Sequence, residues 1–488
     1  MLHNIKKTVR HTAVYGFGNI AAKAIGVILL PVYTSHISLS DYGVLGIVEV
    51  TILILSQVFM FGLGQAYMRF YNSDEYGEKR EELFFSSFAF LVNIGIVLNI
   101  AGNALLPYIV GNAELIFYFR FALIIIALKL VTTLFLNVLR SGQKAVLYTV
   151  ANLLKLFTTL VLNIYFVAVI KIGIKGIIYS MLAGEAVMLI VLLPFMLKLL
   201  RPVIVLSPLK AAVIFGFPLV FSSLAGMILN MGDRYILKML VDYREVGLYS
   251  LGYKIAGVLN MVLIQAFLLS IRPISYSMYG SKGDTRFYSK VLTYFVFILV
   301  WAGLGISVFS KEIVHLFARS ADYWPAYRIV PLIIIAYIFS GARSVVNMGL
   351  LLKKKTLYLA VLTAAAAFAN IGLNFLLIPK YKMFGAAAAT IISFVVLFIA
   401  THIMAGRYYK IPYENGKLFL MFSAGTALFF GAQFIQTNNF TITVIYKLLL
   451  VLIFPFVLFV FGFYEKVELD RLKSLFKKRM INRKEDRS

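Results

Sequence analysis

The chain has 488 residues, of which 61% are hydrophobic and 14% are charged, and its formal net charge is +26. Soluble proteins are about 45 to 50% apolar and about 25% charged. The composition therefore excludes a soluble globular protein and predicts an all-α polytopic membrane protein. The absence of cysteine excludes disulfides, thiolate metal sites and cysteine nucleophiles.

Fourteen apolar stretches are long enough to cross a bilayer as helices, because a core of about 30 Å needs about 20 residues. We number them spans 1 to 14. Their limits are roughly 12–35, 42–67, 84–107, 115–137, 146–170, 177–197, 211–232, 248–271, 291–310, 328–350, 357–378, 385–405, 418–435 and 444–463. A mean length of about 22 residues favours tilted helices over barrel strands.

The distribution of Lys and Arg predicts the orientation. The N-terminus, every second loop and the C-terminal tail hold 30 of these residues, the alternate loops hold 10, and 7 lie within spans. Positively charged loops stay in the cytoplasm, so both termini are predicted to be cytoplasmic. The tail carries nine of the 30, which predicts contact with anionic lipid head groups and requires no nucleic acid.

Two parts of the chain resemble each other. Leu147-Tyr148, Leu162-Asn163 and Lys175-Gly176 are echoed by Leu357-Tyr358, Leu373-Asn374 and Phe384-Gly385, at offsets of 210, 211 and 209 residues. Six helices per copy is an even number, so the copies are predicted to be pseudo-symmetric lobes related by an axis along the membrane normal. The predicted domains are an N-terminal six-helix lobe (1–205), a C-terminal six-helix lobe (206–410), spans 13 and 14 (411–463) and a basic cytoplasmic tail (464–488).

Two lobes of this kind favour transport by alternating access over catalysis. No loop exceeds about 20 residues, so there is no room for a soluble catalytic domain, and no nucleotide-binding or hydrolase motif occurs in a suitable element. The five histidines are scattered, whereas a metal site needs clustered ligands. We therefore expect a transporter without catalytic residues, metal or cofactor.

Charged residues inside the spans are the candidates for function, since each costs roughly 2.5 to 3.5 kcal/mol at the centre of a membrane helix. Lys23, Lys129, Lys155 and Lys254 lie deep in their spans and must face water, a partner or a substrate. The spans hold seven cationic residues and two acidic ones, which favours an anionic substrate. Lys447 and Arg343 lie nearer span ends, where they are expected to snorkel.

Two groups of these charges allow more than one interpretation. Lys155 and Glu185, on consecutive spans, either form an internal ion pair or contact substrate directly. Asn19 and Lys23 are four residues apart and share one helical face, which either lines a cavity or belongs to a glycine-rich packing surface. Lys254 is the counterpart of Lys23 at the start of the second lobe.

Several segments together resemble a known family. They are Tyr15-Gly16-Phe17-Gly18-Asn19 with Lys23, Leu30-Pro31-Val32-Tyr33-Thr34, Leu39-Ser40-Asp41-Tyr42-Gly43, Gly232-Asp233-Arg234-Tyr235-Ile236-Leu237 and Val246-Gly247-Leu248-Tyr249-Ser250. In register with fourteen spans, they resemble polysaccharide biosynthesis flippases, the Wzx-type branch of the multidrug/oligosaccharidyl-lipid/polysaccharide exporter superfamily.

The resemblance implies a V-shaped pair of lobes around a cationic cavity lined largely by spans 1, 2, 7 and 8. It implies Lys23, Arg234 and Lys254 as contacts for a diphosphate, with Asn19 on the same face as Lys23. Related lipid II flippases favour arginine in the cavity. This chain has lysine at positions 23 and 254, and lysine lacks the planar fork by which arginine binds phosphate in a bidentate manner. The mode of phosphate binding is therefore left open.

The implied activity is movement of a polyprenyl-diphosphate-linked oligosaccharide from the cytoplasmic to the outer leaflet of a bacterial inner membrane. This step serves assembly of a cell-surface polysaccharide such as lipopolysaccharide O-antigen, with a polymerase and assembly proteins as partners. Energy would come from the membrane potential or from Na⁺ or H⁺, with Glu49 and Asp233 as coupling candidates, although Asp233 alternatively pairs with Arg234.

Three other functions remain open from the sequence. The first is a cation-coupled multidrug antiporter on the same scaffold, which needs buried carboxylates, and only Glu49 and Glu185 qualify. A polymerase or glycosyltransferase acting on the same lipid carrier would need a large outer loop or paired acidic residues. A membrane scaffold without transport activity would leave the charges within the spans unexplained.

Overall fold

The computed structural model describes residues 26–71, 79–434, 439–466 and 470. The described chain is helical and contains no strand. Asn19, Lys23, most of span 1 and most of the basic tail lie outside the described residues. The sequence predictions for them therefore remain predictions.

The first half of the described chain is built from short helices near the lobe boundary and long helices within the lobe. The elements are α1 (Leu30–His36), α2 (Leu39–Phe59), α3 (Leu63–Phe70), α4 (Arg80–Ile109), α5 (Ala113–Ser141), α6 (Ala145–Ile164) with a π-helical extension (Tyr165–Val169), and α7 (Ile174–Leu197).

The second half follows the same pattern and adds two helices at its end. The elements are α8 (Leu206–Met231), α9 (Asp233–Leu240), α10 (Tyr243–Leu259), a π-helical segment (Asn260–Ile264), α11 (Gln265–Met278), α12 (Asp284–Val308), α13 (Ser310–Phe317), a 3-10 segment (Ala321–Arg328), α14 (Val330–Leu352), α15 (Thr356–Tyr408), α16 (Asn415–Phe434) and α17 (Phe440–Val460).

Twelve helical stretches among the described residues are long and apolar enough to span a membrane. They cover predicted spans 2 to 14, because α15 contains both span 11 and span 12. The sequence predicts a loop between these two spans, whereas the helix is interrupted only at Lys382, where φ is 49° and ψ is −129°. The fold is thus the predicted polytopic one, with a sharp kink in place of a loop.

Predicted span 2 is not one helix. It breaks between α2 and α3, where Phe61 and Gly62 have φ angles of 50° and 69°. A left-handed conformation is uncommon for a bulky residue such as Phe61, so this break stores strain. The apolar run continued through the break and did not reveal it.

The backbone confirms the internal repeat. Besides Phe61, the described non-glycine residues with positive φ are Gln143, Lys171, Lys354 and Lys382. Gln143 and Lys354 precede α6 and α15, Lys171 lies in the connection after α6, and Lys382 lies at the kink within α15. Each pair is 211 residues apart, in agreement with the sequence offsets. The two lobes therefore share backbone turns as well as helix order.

Each lobe has its own hydrophobic core. One extends from Val44 to Ala212 and fills the N-terminal lobe. The other lies mainly in the C-terminal lobe and also incorporates residues from Leu29 to Ile47, Val167 and Ile177. A smaller cluster lies elsewhere in the C-terminal lobe. Helix α1 and the first part of α2 are therefore packed into the C-terminal lobe.

The lobes touch at both ends of α2. At its start, a Cβ added to Gly43 would lie 1.8 Å from the backbone oxygen of Tyr243, so α2 and α10 are in backbone contact. Beyond its end, a Cβ added to Gly62 would lie 2.1 Å from the backbone oxygen of Gly216 in α8. Only glycine permits these approaches. The two contacts bracket the space between the lobes.

Hydrogen bonds reinforce the contact at the start of α2. The Tyr323 hydroxyl donates to the backbone oxygens of Ile37 and Ser38, at 3.0 and 2.9 Å. Burial is the main cause that raises the pKa of Tyr323, and the nearby Tyr42 raises it further. The phenol of Tyr323 therefore stays protonated and can donate these hydrogen bonds. The 3-10 segment of the C-terminal lobe is thereby fastened to the N-terminal lobe.

Candidate functional site

A cavity of about 520 Å³ lies between the lobes, and its lining is more apolar than polar. Its walls come mainly from α2 and α10, with further residues from α8, α9, α14 and from Gly26 and Val27 of span 1. The charged and polar lining residues are Tyr42, Glu49, Arg234, Ser250, Tyr253, Lys254, Asn260 and Tyr337. The sequence-predicted residues Arg234, Lys254 and Glu49 therefore come together, although they are distant in sequence.

Lys254 faces Glu49 across the lobe boundary. Its Nζ atom lies 3.9 Å from Glu49 Oε2, which is too far for a hydrogen bond. The side chains are 25% and 35% exposed, respectively. Nζ also lies 5.3 Å from the centre of the Tyr42 ring and 5.8 Å from that of Tyr33. Lys254 is thus held beside aromatic faces with a loosely associated carboxylate.

Arg234 is held more firmly. Nη1 lies 3.4 Å from Asp233 Oδ1 and 3.4 Å from the backbone oxygen of Asn230. The guanidinium also lies 4.7 Å from the centre of the Tyr253 ring. These partners come from the turn between α8 and α9 and from α10. Arg234 therefore contributes to the cavity wall while already being partly neutralised.

Asp233 is a buried partner rather than a cavity residue. It is 1% exposed. The Tyr249 hydroxyl donates a hydrogen bond to Oδ2, and Thr390 Oγ1 lies 3.4 Å from the same oxygen. With Arg234 at the other oxygen, both carboxylate oxygens have partners. Of the two predicted coupling carboxylates, Glu49 is the one that faces the cavity.

Two lining residues carry buried hydroxyl groups. The Tyr42 hydroxyl lies close to the ammonium group of Lys254 and interacts with it, whereas Ser250 Oγ has no hydrogen-bond partner among the described residues. Both oxygens are inaccessible to solvent, and a buried hydroxyl without a partner is costly. Both residues belong to segments on which the family resemblance was based.

The charged residues that line the described part of the cavity are two cations, Lys254 and Arg234, and one carboxylate, Glu49. Asp233 lies behind the wall and pairs with Arg234. The resemblance implies a cationic cavity, and the excess of positive residues within the spans favoured one. The described lining has this sign, but the excess is small because each cation has a carboxylate nearby. Lys23 would add a positive charge but lies outside the described residues.

Lys155 and Glu185 lie within the N-terminal lobe and do not line the cavity. Lys155 Nζ is 2.5 Å from Glu185 Oε1, and Thr132 Oγ1 is 3.0 Å from Oε2. Glu185 is 5% exposed. The two residues thus form an internal ion pair, one of the two arrangements expected from the sequence.

Two cations expected to snorkel do not do so. Lys447 is 9% exposed, and its Nζ lies 2.5 Å from Glu312 Oε1, which joins α17 to α13. Arg343 donates to Thr363 and Thr401 at 2.6 and 3.3 Å. Both lie within the helix packing, because partners from other helices are within reach.

Two features of the site were not predicted from the sequence: the contribution of α14 to the cavity wall and a π-helical segment that follows α10. Tyr337 of α14 lines the cavity, but an isolated tyrosine in an apolar span carries no signal. Helix α10 runs into a π-helical segment beginning at Asn260, which also lines the cavity. Such segments are frequent at functional sites.

The fold and the cavity define the class: a two-lobed, all-helical, multi-pass membrane protein with a charged site between its lobes. The polysaccharide biosynthesis protein family matches residues 8–278, more than half of the 488 residues. The chain belongs to this family. No curated protein sequence matches it.

Solved structures share the fold. The lipid II flippase MurJ in an inward closed conformation superposes with a TM-score of 0.72 at 14% identity, covering 93% of this chain and 100% of that one. An inward-facing multidrug resistance MATE transporter of the MOP superfamily gives 0.62 at 14% identity, covering 80% and 94%. A Pyrococcus furiosus MOP superfamily transporter described by a reversed polarity of its binding pocket gives 0.55 at 15% identity, covering 82% and 96%.

Proposed function

We propose that the protein is a flippase that moves a polyprenyl-diphosphate-linked oligosaccharide from the cytoplasmic to the outer leaflet of a bacterial inner membrane. The observation that carries the proposal is the position of Lys254 between the lobes, facing a cavity with its carboxylate partner Glu49 3.9 Å away. Family membership supplies the link to polysaccharide biosynthesis.

The chemistry required is modest. A diphosphate cannot enter bare hydrocarbon without losing its hydration, whereas a cavity with cationic donors replaces part of that hydration. Lys254 would offer up to three N–H donors to the phosphate oxygens. Lys23, with Asn19 on its face, would approach from span 1, and Arg234 would add partial charge from α9. The polyprenyl tail would remain in lipid.

Movement would follow from rocking of the lobes about the site. The contacts at the two ends of α2 would alternate, so that the Gly62–Gly216 side opens to the cytoplasm and the Gly43–Tyr243 side opens outward. The predicted cytoplasmic termini give this direction. Energy would come from the membrane potential or from an ion gradient, with Glu49 and Asp233 as the candidate coupling carboxylates.

The multidrug antiporter alternative receives less support. A cationic drug needs an available carboxylate, but Glu49 faces Lys254 and Asp233 has partners at both oxygens. Polymerases, assembly proteins and anionic lipids beneath the tail remain proposed partners, as do the domain limits at 205, 410 and 463.

Reconstitution tests the proposal. The purified protein in liposomes should move a polyprenyl-diphosphate-linked sugar between leaflets, measured by accessibility of the sugar to an enzyme added outside. Cells lacking the protein should accumulate the inward-facing lipid. Lys23→Ala and Lys254→Ala should each abolish movement while the protein still inserts. Glu81→Gln alters a carboxylate outside the cavity and serves as the control.

Absence of translocation by the folded wild-type protein would overturn the proposal. Normal translocation by both lysine variants would overturn the assigned roles. Proton-driven drug efflux without lipid movement would instead establish the antiporter.

A further inference from the structure

The pair formed by Glu49 and Lys254 joins the two lobes. Glu49 lies on α2 of the N-terminal lobe and Lys254 on α10 of the C-terminal lobe. Their charged atoms are 3.9 Å apart, and both side chains remain partly exposed. The pair therefore has electrostatic attraction but lacks the direct hydrogen bond of a locked salt bridge.

The neighbouring packing fixes these residues opposite each other. Gly46 lies one turn before Glu49, and a Cβ placed there would be 2.9 Å from Ser250 Oγ. Ser250 in turn lies one turn before Lys254. Because α2 and α10 approach closely at this level, any relative movement of the lobes changes the distance between the two charges.

An anionic head group in the cavity would feel opposite forces from the two side chains. Lys254 would attract the phosphate, while Glu49 would repel it and compete for the same ammonium group. Both side chains line the same cavity. The wall thus offers a cation for an anionic group together with a carboxylate that opposes it.

We propose that Glu49 is the release residue of the cavity, an internal counter-ion that displaces the substrate phosphate from Lys254. This inference rests on the proposed function. When the lobes separate around a bound head group, the phosphate replaces Glu49 beside Lys254. When they come together again, Glu49 recovers the lysine and the phosphate leaves. A flippase needs such a device because a head group bound too tightly would stay in the cavity.

The pair formed by Asp233 and Arg234 does not offer this exchange. Asp233 is buried and bonded to Tyr249 and Thr390 as well as to Arg234. All three partners belong to the same lobe as Asp233 itself. Movement of the lobes therefore leaves this pair intact, and competition is confined to Glu49.

The test compares binding with turnover. Farnesyl diphosphate in detergent is the binding probe, with uncharged farnesol as the ligand control. Glu49→Gln should bind farnesyl diphosphate about tenfold more tightly than the wild type, because a like charge next to the phosphate is removed. The same variant should translocate the lipid-linked sugar more slowly at saturating substrate. Farnesol affinity should not change.

Glu81→Gln is the matched control. Glu81 pairs with Arg201 and its side chain is 27% exposed, but it lies outside the cavity. It should leave both affinity and turnover at the wild-type values. Glu49→Asp keeps the charge but shortens its reach, so its affinity should lie between those of the wild type and Glu49→Gln.

Equal or weaker binding by folded Glu49→Gln overturns the inference. If that variant does not fold, equal or weaker binding by Glu49→Asp overturns it instead. If the wild-type protein moves the lipid but Glu49→Gln shows no gain in affinity, only the release role of Glu49 is removed. A wild-type protein that neither binds the probe nor moves the lipid removes the proposed function as well.

Discussion

The lobe interface and the interior of the N-terminal lobe each contain a lysine–glutamate pair within membrane spans, but the two environments differ. At the interface, Lys254 and Glu49 are 3.9 Å apart and face a cavity. Inside the lobe, Lys155 and Glu185 are 2.5 Å apart, and Thr132 satisfies the second carboxylate oxygen. Residue type is the same in both places. The difference teaches that position relative to the lobe boundary separates a loosely associated pair at a cavity from a close pair inside the helix packing.

The largest expected effect comes from replacing a glycine at a contact between the lobes, in comparison with a glycine at a contact within one lobe. Gly43→Ala places a Cβ 1.8 Å from a backbone oxygen of the other lobe, so the interface cannot close and translocation should fall by more than about a hundredfold. Gly184→Ala places one 2.2 Å from Thr159 Oγ1 within the same lobe, where a side chain can turn away. Initial rates in liposomes measure the difference. Equal rates would remove the distinction between interface and interior.

The second prediction concerns the two lysines and stability. Lys155→Ala leaves nearly buried Glu185 without its closest cation and should lower the free energy of unfolding by about 3 kcal/mol. Lys254→Ala leaves Glu49 facing the cavity and should cost less than about 1 kcal/mol. Chemical unfolding in detergent measures both values. A larger loss for Lys254→Ala would contradict the assignment of the interior pair as the structural one.

The third prediction compares two buried tyrosines, Tyr323 at the lobe interface and Tyr288 inside the C-terminal lobe. Tyr323→Phe removes hydrogen bonds that cross between lobes. At about 1 kcal/mol for the lost interaction, the closed population should fall about fivefold relative to the open one. Tyr288→Phe removes a 2.7 Å bond to the Ser275 oxygen within the C-terminal lobe, so it should affect unfolding alone.

Distances between spin labels on the two lobes check this result. The native chain contains no cysteine, so labelling at introduced cysteines is free of background. An unchanged distance distribution in Tyr323→Phe would show that the 3-10 segment does not fasten the lobes.

The smallest effect is expected in acid, away from the interface. The hydrogen bond from Lys290 lowers the pKa of Glu465. Burial opposes ionisation of Glu414, but bonds from Thr293, Lys290 and Lys417 outweigh it and lower its pKa too. A lowered folded pKa gives stability that is present above the unfolded value of about 4.3 and is lost as the pH falls below it.

We therefore expect the unfolding temperature to decline below about pH 4.5, with a contribution from these groups of less than about 1 kcal/mol. Glu465→Gln should make that decline shallower. Thermal unfolding between pH 7 and pH 3.5 provides the measurement. A variant whose decline is as steep as that of the wild type would assign the acid sensitivity to other groups.

The prediction of the fold from sequence was nearly complete for the described spans because apolar length directly reflects membrane thickness. The repeat was also visible, since equivalent turns retained similar residues. The break at Phe61 was not, because hydropathy does not report a change of backbone direction. For the site, Lys254 and Glu49 were identified individually from the cost of charge in a membrane. Arg234 was identified from the family resemblance, and its pairing with Asp233 was one of the stated alternatives. The pairing of Lys254 with Glu49 was not predicted, because it depends on helix rotation.

The sequence by itself determined that this chain is a duplicated, multi-pass helical membrane protein with more positive than acidic residues in its spans. Only the tertiary structure decided which of those charges meet. Helix packing placed Lys155 against Glu185 inside one lobe and Lys254 near Glu49 between two. The physical reason is that hydropathy is a sum along the chain, whereas electrostatic pairing depends on distances between helices that are remote in sequence.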